Sequence, residues 1–366
     1  MATAGIICEY NPFHRGHALQ IRQVRGLLGP ETAVICLMSG SFVQRGEPAV
    51  YDKYARARSA LEAGADLVLE LPLTVAVSAA GSFAAGGVDC LRALGTVDFL
   101  CFGTETGDRA SLTALAAAMG TGEYEDALGE ALSSGISYAA ARQRALTALG
   151  LDAAPLGKPN SALGVDYIRR LLETGSSIRP LALPRDLSLP AASEIRAELL
   201  REHAPVHALR YGEGPMLAVL RRLNEADFRD APFGGEGLWS KVMDACRTRG
   251  SYEEILFACK SKRYAMSRLR RMLLCLYLGL SAGDLETPPP YLHALAFGPR
   301  GRGLLKTMKE TSALPLITGT VPDTPEARGY FEMECRAGDL YRYFQHPDAP
   351  RDPMTRGRAA KPVILE

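Results

Sequence analysis

The sequence predicts an α/β protein: a Rossmann-like, doubly wound parallel sheet followed by a second, mainly α-helical domain. Over the first two hundred residues, short β-branched or apolar runs alternate with longer helical patterns, the rhythm of repeated βαβ units. The runs are continuously apolar rather than alternating, as strands covered on both faces are. Beyond about Pro205 the strand signals fade and helical periods dominate.

Taken in order, "AGIIC" (4–8) is the first strand and 15–28 its helix. "TAVICLM" (32–38) is followed by a helix over 51–63, and "DLVLEL" (66–71) by one over 82–94. "VDFLCF" (97–102) leads into helices through about 149, and "SIRPLAL" (177–183) supplies a fifth strand. "AASEIRAELLRE" then reads as a helix opened by Ser193. In the second half "ALRYGEGPMLAVLRRL", "LWSKVMDACRT" and "SYEEILFACKSKRYAMSRLRRMLLCLYLGL" are helical, whereas "TPPPYLHAL" and "HPDAPRDPM" are rigid breaks. The expected division is residues 1–200 and 201–366.

With 366 residues, 47% of them hydrophobic, the chain can bury a core in each part. A net charge of +1 excludes nucleic-acid binding by bulk positive charge and leaves room for a local patch. The eight cysteines form no C-x-x-C pair and no zinc-spaced cluster, so each reads as a small buried residue in a reduced compartment. The N-terminus lacks a basic region and no segment reaches the roughly 18 apolar residues of a membrane span. A cytoplasmic protein with no membrane contact is expected.

"EYNPFHRGH" (9–17) does not read as ordinary packing. Ligands of open α/β sheets bind beyond the carboxyl ends of the strands, and this stretch follows the first strand directly. Pro12 is expected to keep Asn11 extended. A helix beginning near His14 or Arg15 turns free N–H groups and its positive dipole end to the same place, a seat for phosphate. His14 and His17 fall on one side of that helix, and Gly16 lacks the Cβ that would hold a ligand off the backbone. The two imidazoles can donate hydrogen bonds to a triphosphate as charge builds on leaving pyrophosphate. A structural role for a single histidine is ordinary, but it explains neither the glycine nor the strand-to-helix position. A two-histidine metal site is the rival reading, and no third ligand has suitable spacing.

The H-x-G-H element resembles the HIGH signature of the nucleotidylyltransferase superfamily, in which the α-phosphate of ATP is attacked and pyrophosphate leaves. More narrowly, "GIICEYNPFHRGHALQI" resembles the opening of the bacterial tRNA(Met) cytidine acetate ligases. "MSGSFVQRGEPAVYDKYARARSALEAGADLVLELP", "SFAAGGVDCLRALGTVDFLCFGTE", "KPNSALGVDYI", "KRYAMSRLRRMLL" and "FGPRGRGLLKTMK" resemble further blocks of that family, in the same order. The resemblance implies a sheet of the nucleotidylyltransferase type. It also implies an ATP site bordered by Gly5, Ile6, Ile7, Cys8, Glu9, Tyr10, Asn11, Pro12, Phe13, His14, Gly16 and His17.

The other blocks carry a bland reading beside the implied one. In a sheet of order 3-2-1-4-5, Gly103 of "CFGTE" faces the same crevice as Asn11 and His14; it is either a strand-end turn or, by resemblance, an ATP contact. Asn160 is an N-cap on propensity and an ATP contact by resemblance. Ser193 and Arg196 are a cap and a surface charge, or parts of the superfamily's serine-rich second signature, which with Arg185 meets the triphosphate. Glu194 departs from that pattern, and a carboxylate there would repel phosphate unless it points away or meets magnesium. "SGSFVQRGEPAVYDK" is expected to be an exposed loop over the same edge, with Ser39, Gln44 and Arg45 as candidate substrate contacts, while the charges of "YDKYARAR" read as a solvated helix face.

Lys260, Lys262, Arg263, Arg268, Arg270 and Arg271 lie in a segment without acidic residues, with Met266, Leu269, Leu273 and Leu276 at helical spacing. Such a face is usually only solvated; against a neutral background it suits a phosphate backbone, with Tyr264 to stack on a base. "GPRGRGLLKTMK" adds Arg300, Arg302, Lys306 and Lys309, and its G-x-G is too weak to read as a nucleotide loop. The family resemblance implies a ligase that uses ATP as co-substrate, with Mg2+, to activate acetate and acetylate the wobble cytidine of elongator tRNA(Met). A nucleotidylyltransferase acting on a small phosphate ester and a non-catalytic RNA-binding protein are the alternatives.

Overall fold

In the computed structural model, which describes residues 1–106, 108–349 and 360–366, the chain builds its sheet outward from the first strand. β1 (Thr3–Cys8) pairs in parallel with β2 (Ala33–Ser39) on one side and with β6 (Phe99–Thr104) on the other. β5 (Leu67–Leu71) extends the sheet beyond β2, and β7 (Arg179–Pro184) extends it beyond β6. The order β5-β2-β1-β6-β7 is the 3-2-1-4-5 order expected from the sequence. β2 and β5 are buried along their whole length, as strands covered on both faces must be.

On one face α1 (Arg15–Leu28) sets Ile21 and Val24 against Ile6, Val34 and Cys36. On the other, the Ala80–Ala93 helix sets Phe83, Val88 and Leu91 against Ile7, Ile35 and Leu69. Each fully buried side chain of this size contributes about 1.5–3 kcal/mol. The cysteines are free, and all but Cys8 are buried.

The second half differs from expectation in one respect. Helices Leu209–Arg222, Leu238–Thr248, Tyr252–Cys259 and Met266–Leu278 share a core around Leu220, Val242, Ile255 and Leu273, and then the chain returns to the sheet. β8 (Leu292–Phe297) pairs antiparallel with β5, and β9 (Leu316–Ile317) and β10 (Val363–Ile364) pair with β8. "LHALAF", one residue after three prolines, has weak β propensity and reads as a break. Gly301 of the following helix lies so close to β5 that a Cβ would stand 2.0 Å from the Asp66 oxygen. The middle glycine of "GPRGRG" thus serves close packing. "HPDAPRDPM" runs into residues 350–359, outside those described.

Two further expectations are corrected. "SGSFVQRGEPAVYDK" contains a hairpin of β3 (Phe42–Val43) and β4 (Glu47–Pro48), with Phe42 fully buried in the helical core and Gln44 to Gly46 at its turn. Part of the supposed solvated face of "YDKYARAR" also turns inward, because α2 (Lys53–Glu62) pairs the half-buried Lys53 with Glu70 at 2.6 Å and hides Arg56 with 1% exposure, while Arg58 stays exposed. Arg56 donates to the carbonyls of Tyr51 (2.9 Å), Glu9 (2.6 Å), Ser39 (3.0 Å) and Gly40. A buried acceptor left unpaired costs about 1–3 kcal/mol. Arg56→Met is therefore expected to lower the stability by on the order of 3 kcal/mol or more, read as a shift of the urea midpoint. A shift below about 1 kcal/mol would show that the carbonyls find other donors.

Candidate active site

A cavity of about 640 Å³ opens at the carboxyl ends of β1, β6 and β7. Its centre is the turn between β1 and α1. Tyr10 has φ of 47° and the Asn11–Pro12 bond is cis. Asn11, expected to be extended, lies in a turn; its Oδ1 accepts from the Val50 N–H at 2.8 Å and its carbonyl from Arg196 at 2.6 Å.

His14 is the N-cap of α1. Its Nδ1 accepts from the Gly16 N–H at 3.0 Å, while the His17 Nδ1 accepts from the His14 N–H at 3.3 Å, a reciprocal cap of the kind Ser and Glu usually make. The rings lie 3.8 Å apart between centroids, and Tyr10 lies 4.7 Å from His17. A nitrogen that accepts carries no proton, so each neutral ring keeps its hydrogen on Nε2. Burial is the main reason both stay neutral: with His14 and Arg185 adding repulsion it lowers His17 to about 3, and with Arg185 it lowers His14. The pair is a double neutral donor that costs the cavity no added positive charge. Gly16 admits no side chain here, since its Cβ would meet the His14 ring at 2.8 Å.

β6 and β7 build one flank. Gly103 faces the cavity beside Arg185, whose Cγ would lie 3.2 Å from a Cβ at Gly103. Asn160 is not an N-cap: the Pro159–Glu173 helix begins one residue earlier, and Asn160 Nδ2 donates to Glu105 at 2.6 Å. The other Glu105 oxygen accepts from the Ser161 N–H at 2.9 Å and its hydroxyl at 2.8 Å, and Arg185 stands 3.5 Å away. These donors hold the Glu105 carboxyl below its usual range against burial, which raises it. Sequence reasoning missed Glu105: a carboxylate capping a helix 55 residues downstream leaves no local signal.

Residues 1–200 and 216–354 match the model of the family described as HIGH Nucleotidyl Transferase. A tRNA(Met) cytidine acetate ligase of Acetivibrio thermocellus is 32% identical over 93% of this chain and 94% of its own. That of Syntrophotalea carbinolica is 36% identical over 87% and 85%. A crystal structure of Thermotoga maritima TmcAL bound with alpha-thio ATP superposes with a TM-score of 0.91, at 32% identity and full coverage of both chains. The chain belongs to the tRNA(Met) cytidine acetate ligase family of HIGH nucleotidyl transferases.

Within this family frame, the second flank comes from the β3–β4 hairpin and the Ala192–Arg201 helix, where Glu9, Gln44, Arg45, Ser193 and Arg196 line the cavity. The Gln44 N–H donates to Glu9 at 2.8 Å. Ser39 does not reach it: the residue is fully buried at the end of β2. Ser193 is exposed inside the helix rather than at its cap, and Glu194 turns its carboxylate back onto the Ala191 N–H at 2.8 Å. Position Glu194 is thus accommodated by pointing away.

The six cations of the 260–271 segment are largely relieved by acids distant in sequence. Glu236 takes Arg263 at 3.2 Å and Arg268 at 3.1 Å, Glu47 takes Arg270, and Arg271 is buried with its guanidinium over Phe233. Lys260 and Lys262 stay exposed in the turn before the Met266–Leu278 helix. Tyr264 donates its hydroxyl to the Glu236 carbonyl at 2.7 Å. No helix among the described residues is long and apolar enough to cross a membrane.

The protonation state of the pair can be tested. Between the lowered histidine values and the ordinary pKa near 6.5, the unfolded chain binds more protons than the folded one. The neutral pair's contribution is therefore full above about 6.5 and is lost as pH falls toward 3. His17→Gln is expected to flatten this part of the pH–stability curve relative to the parent. Nitrogen NMR should find the His17 ring as the Nε2–H tautomer at pH 6 and the His14 ring protonating below its ordinary value; a His17 ring protonating near 6.5 would contradict the assignment.

Proposed function

We propose that this protein is an ATP-dependent ligase that activates acetate as acetyl-adenylate and transfers the acetyl group to N4 of the wobble cytidine in elongator tRNA(Met). The supporting observation is the neutral His14–His17 pair at the N-terminus of α1, in a chain whose relatives carry this activity in their names. An acetate oxygen bonds to the α-phosphorus as the bond to pyrophosphate breaks. The two Nε2–H groups and the helix N-terminus stabilise charge on the phosphates. N4 then bonds to the acetyl carbon and AMP leaves, so no covalent enzyme intermediate is formed.

ATP is proposed to lie over Gly103, Asn160 and Arg185, with the β1–α1 turn beneath its phosphates. Arg196 and Arg45 face the cavity from the opposite side. Among the described residues no three His, Cys, Asp or Glu side chains converge as metal ligands. The proposed Mg2+ accordingly arrives on the phosphates of ATP rather than from a resident site. Residues 1–200 form the proposed catalytic part and 201–366 the proposed tRNA-binding part of a cytoplasmic enzyme.

Incubation with ATP, radiolabelled acetate and total tRNA tests the reading: label is expected in N4-acetylcytidine, together with AMP. ATP consumption with label on a small acceptor, or tRNA binding without ATP consumption, would refute it. His14→Ala and His17→Ala are each expected to lower turnover about 10²–10³-fold with tRNA affinity little changed, and near-normal turnover would reject the pair.

Because Lys260 and Lys262 are exposed and, unlike Arg263, form no ion pair among the described residues, their double alanine variant should weaken tRNA binding. It should also reduce the salt slope of log K by about 1–2, measured by filter binding between 50 and 200 mM salt. An unchanged slope would remove this segment from the interface.

A further inference from the structure

Four carboxylates line the cavity: Glu9, Glu105, Asp166 and Asp186. Three are committed. Glu105 is spent on the N-terminus of the Pro159–Glu173 helix and on Arg185. Asp166 is gripped by both terminal nitrogens of Arg142. Asp186 is exposed and accepts from the Ser188 N–H at 2.9 Å and hydroxyl at 2.6 Å.

Glu9 differs. One oxygen accepts from the Gln44 N–H at 2.8 Å, and among the described residues no donor reaches the other and no cation forms an ion pair with it. Its backbone cannot drift, because its carbonyl is fixed by the buried Arg56 at 2.6 Å. Burial raises its carboxyl above the usual range, opposed by the Gln44 N–H and the charges of Arg45, Arg196 and Arg56; Tyr167, whose own proton burial retains, also faces it. Its carboxylate is tied to the β3–β4 hairpin, which follows β2 on one side of β1, whereas Gly103 and Arg185 come from β6 and the end of β7 on the other. With the nucleotide on that far side, the near side is where an acceptor meets the activated acetyl group.

The two half-reactions make unequal demands. When acetate attacks ATP, no proton moves. When the cytidine amine attacks, its lone pair forms the N–C bond, the bond from the acetyl carbon to the phosphate oxygen breaks, and the electron pair leaves with AMP. One N4 proton must then go elsewhere. The leaving phosphate needs no acid, whereas the amine, its lone pair delocalised into the ring, needs a base.

We propose, building on the ligase reading, that Glu9 is that base and takes the N4 proton on its unbonded oxygen. Gln44 and Arg56 act as positioning residues that aim it.

Glu9→Gln keeps the shape and the acceptor for the Gln44 N–H while removing the base. Its test uses the full chain in two assays: acetate-dependent exchange of pyrophosphate into ATP, and transfer from prepared acetyl-adenylate to tRNA across pH. Glu9→Gln is expected to lower transfer about 10²–10⁴-fold, far more than it lowers exchange, and to abolish the acid limb of the parent's transfer profile. Glu9→Asp should restore part of the transfer and the limb. Equal loss in both assays, or transfer with the parental pH profile, would overturn the assignment. A parent with no exchange and no transfer would instead sink the ligase reading itself, and Glu9's role with it. A thermal melt of each variant separates either result from misfolding.

Discussion

One buried guanidinium closes the lip of the sheet. Parallel strands that end side by side expose carbonyls with no ladder partner, and here the helical layer and the hairpin leave little room for water to serve them. Arg56 answers with its fork of donors, reaching Glu9 after β1, Ser39 and Gly40 at the end of β2, and Tyr51 before its own helix. A lysine offers a single point of charge and could not span these acceptors in one plane. The turn that carries His14 starts from Glu9, so the geometry of the proposed phosphate seat depends on this contact. Asn11 extends the same logic by tying the turn to Val50 and to Arg196.

The electrostatics of the cavity follow from how two helix N-termini are used. The Pro159–Glu173 helix is already satisfied by the protein's own anion, Glu105. α1 is capped instead by neutral rings, which satisfy two of its amides and keep the Nε2–H groups in reserve. Of these two ends, α1 is the one left without an anion of the protein's own, which makes it the proposed seat for the phosphates. Had His14 and His17 been charged, mutual repulsion at 3.8 Å between rings would have opposed the very cap that positions them.

The parts that were legible in the sequence are those governed by local pattern. The five parallel strands announce themselves as continuous apolar runs, and α1 by its position after "EYNPFHRGH". What escaped depends on partners far along the chain. β8 is a strand because β5 offers it an edge, not because "LHALAF" prefers to extend. Arg56 and Lys53 look like a solvated face until the carbonyls and Glu70 that they bind are known. The basic segment looks unrelieved until Glu236 and Glu47 arrive from elsewhere. Ser39 looked exposed because it opens a polar stretch, yet strand β2 carries it into the interior.

The relief of those cations gives the helical layer a second part in the site. Arg270 holds Glu47 of the hairpin, and Arg271 points a donor at the Gln44 carbonyl, 3.4 Å away. Gly46, with φ of 77°, lies so close to the Arg270–Arg271 backbone that a Cβ would approach within 2.7 Å; only glycine fits both the conformation and the space. Phe42 anchors the other end of the hairpin in the helical core. The hairpin that aims Glu9 through the Gln44 N–H is therefore clamped from behind by the very helix that carries the basic sequence. Much of that positive charge is spent on joining the two halves, so any shift of the Met266–Leu278 helix reaches Glu9 through a single backbone amide.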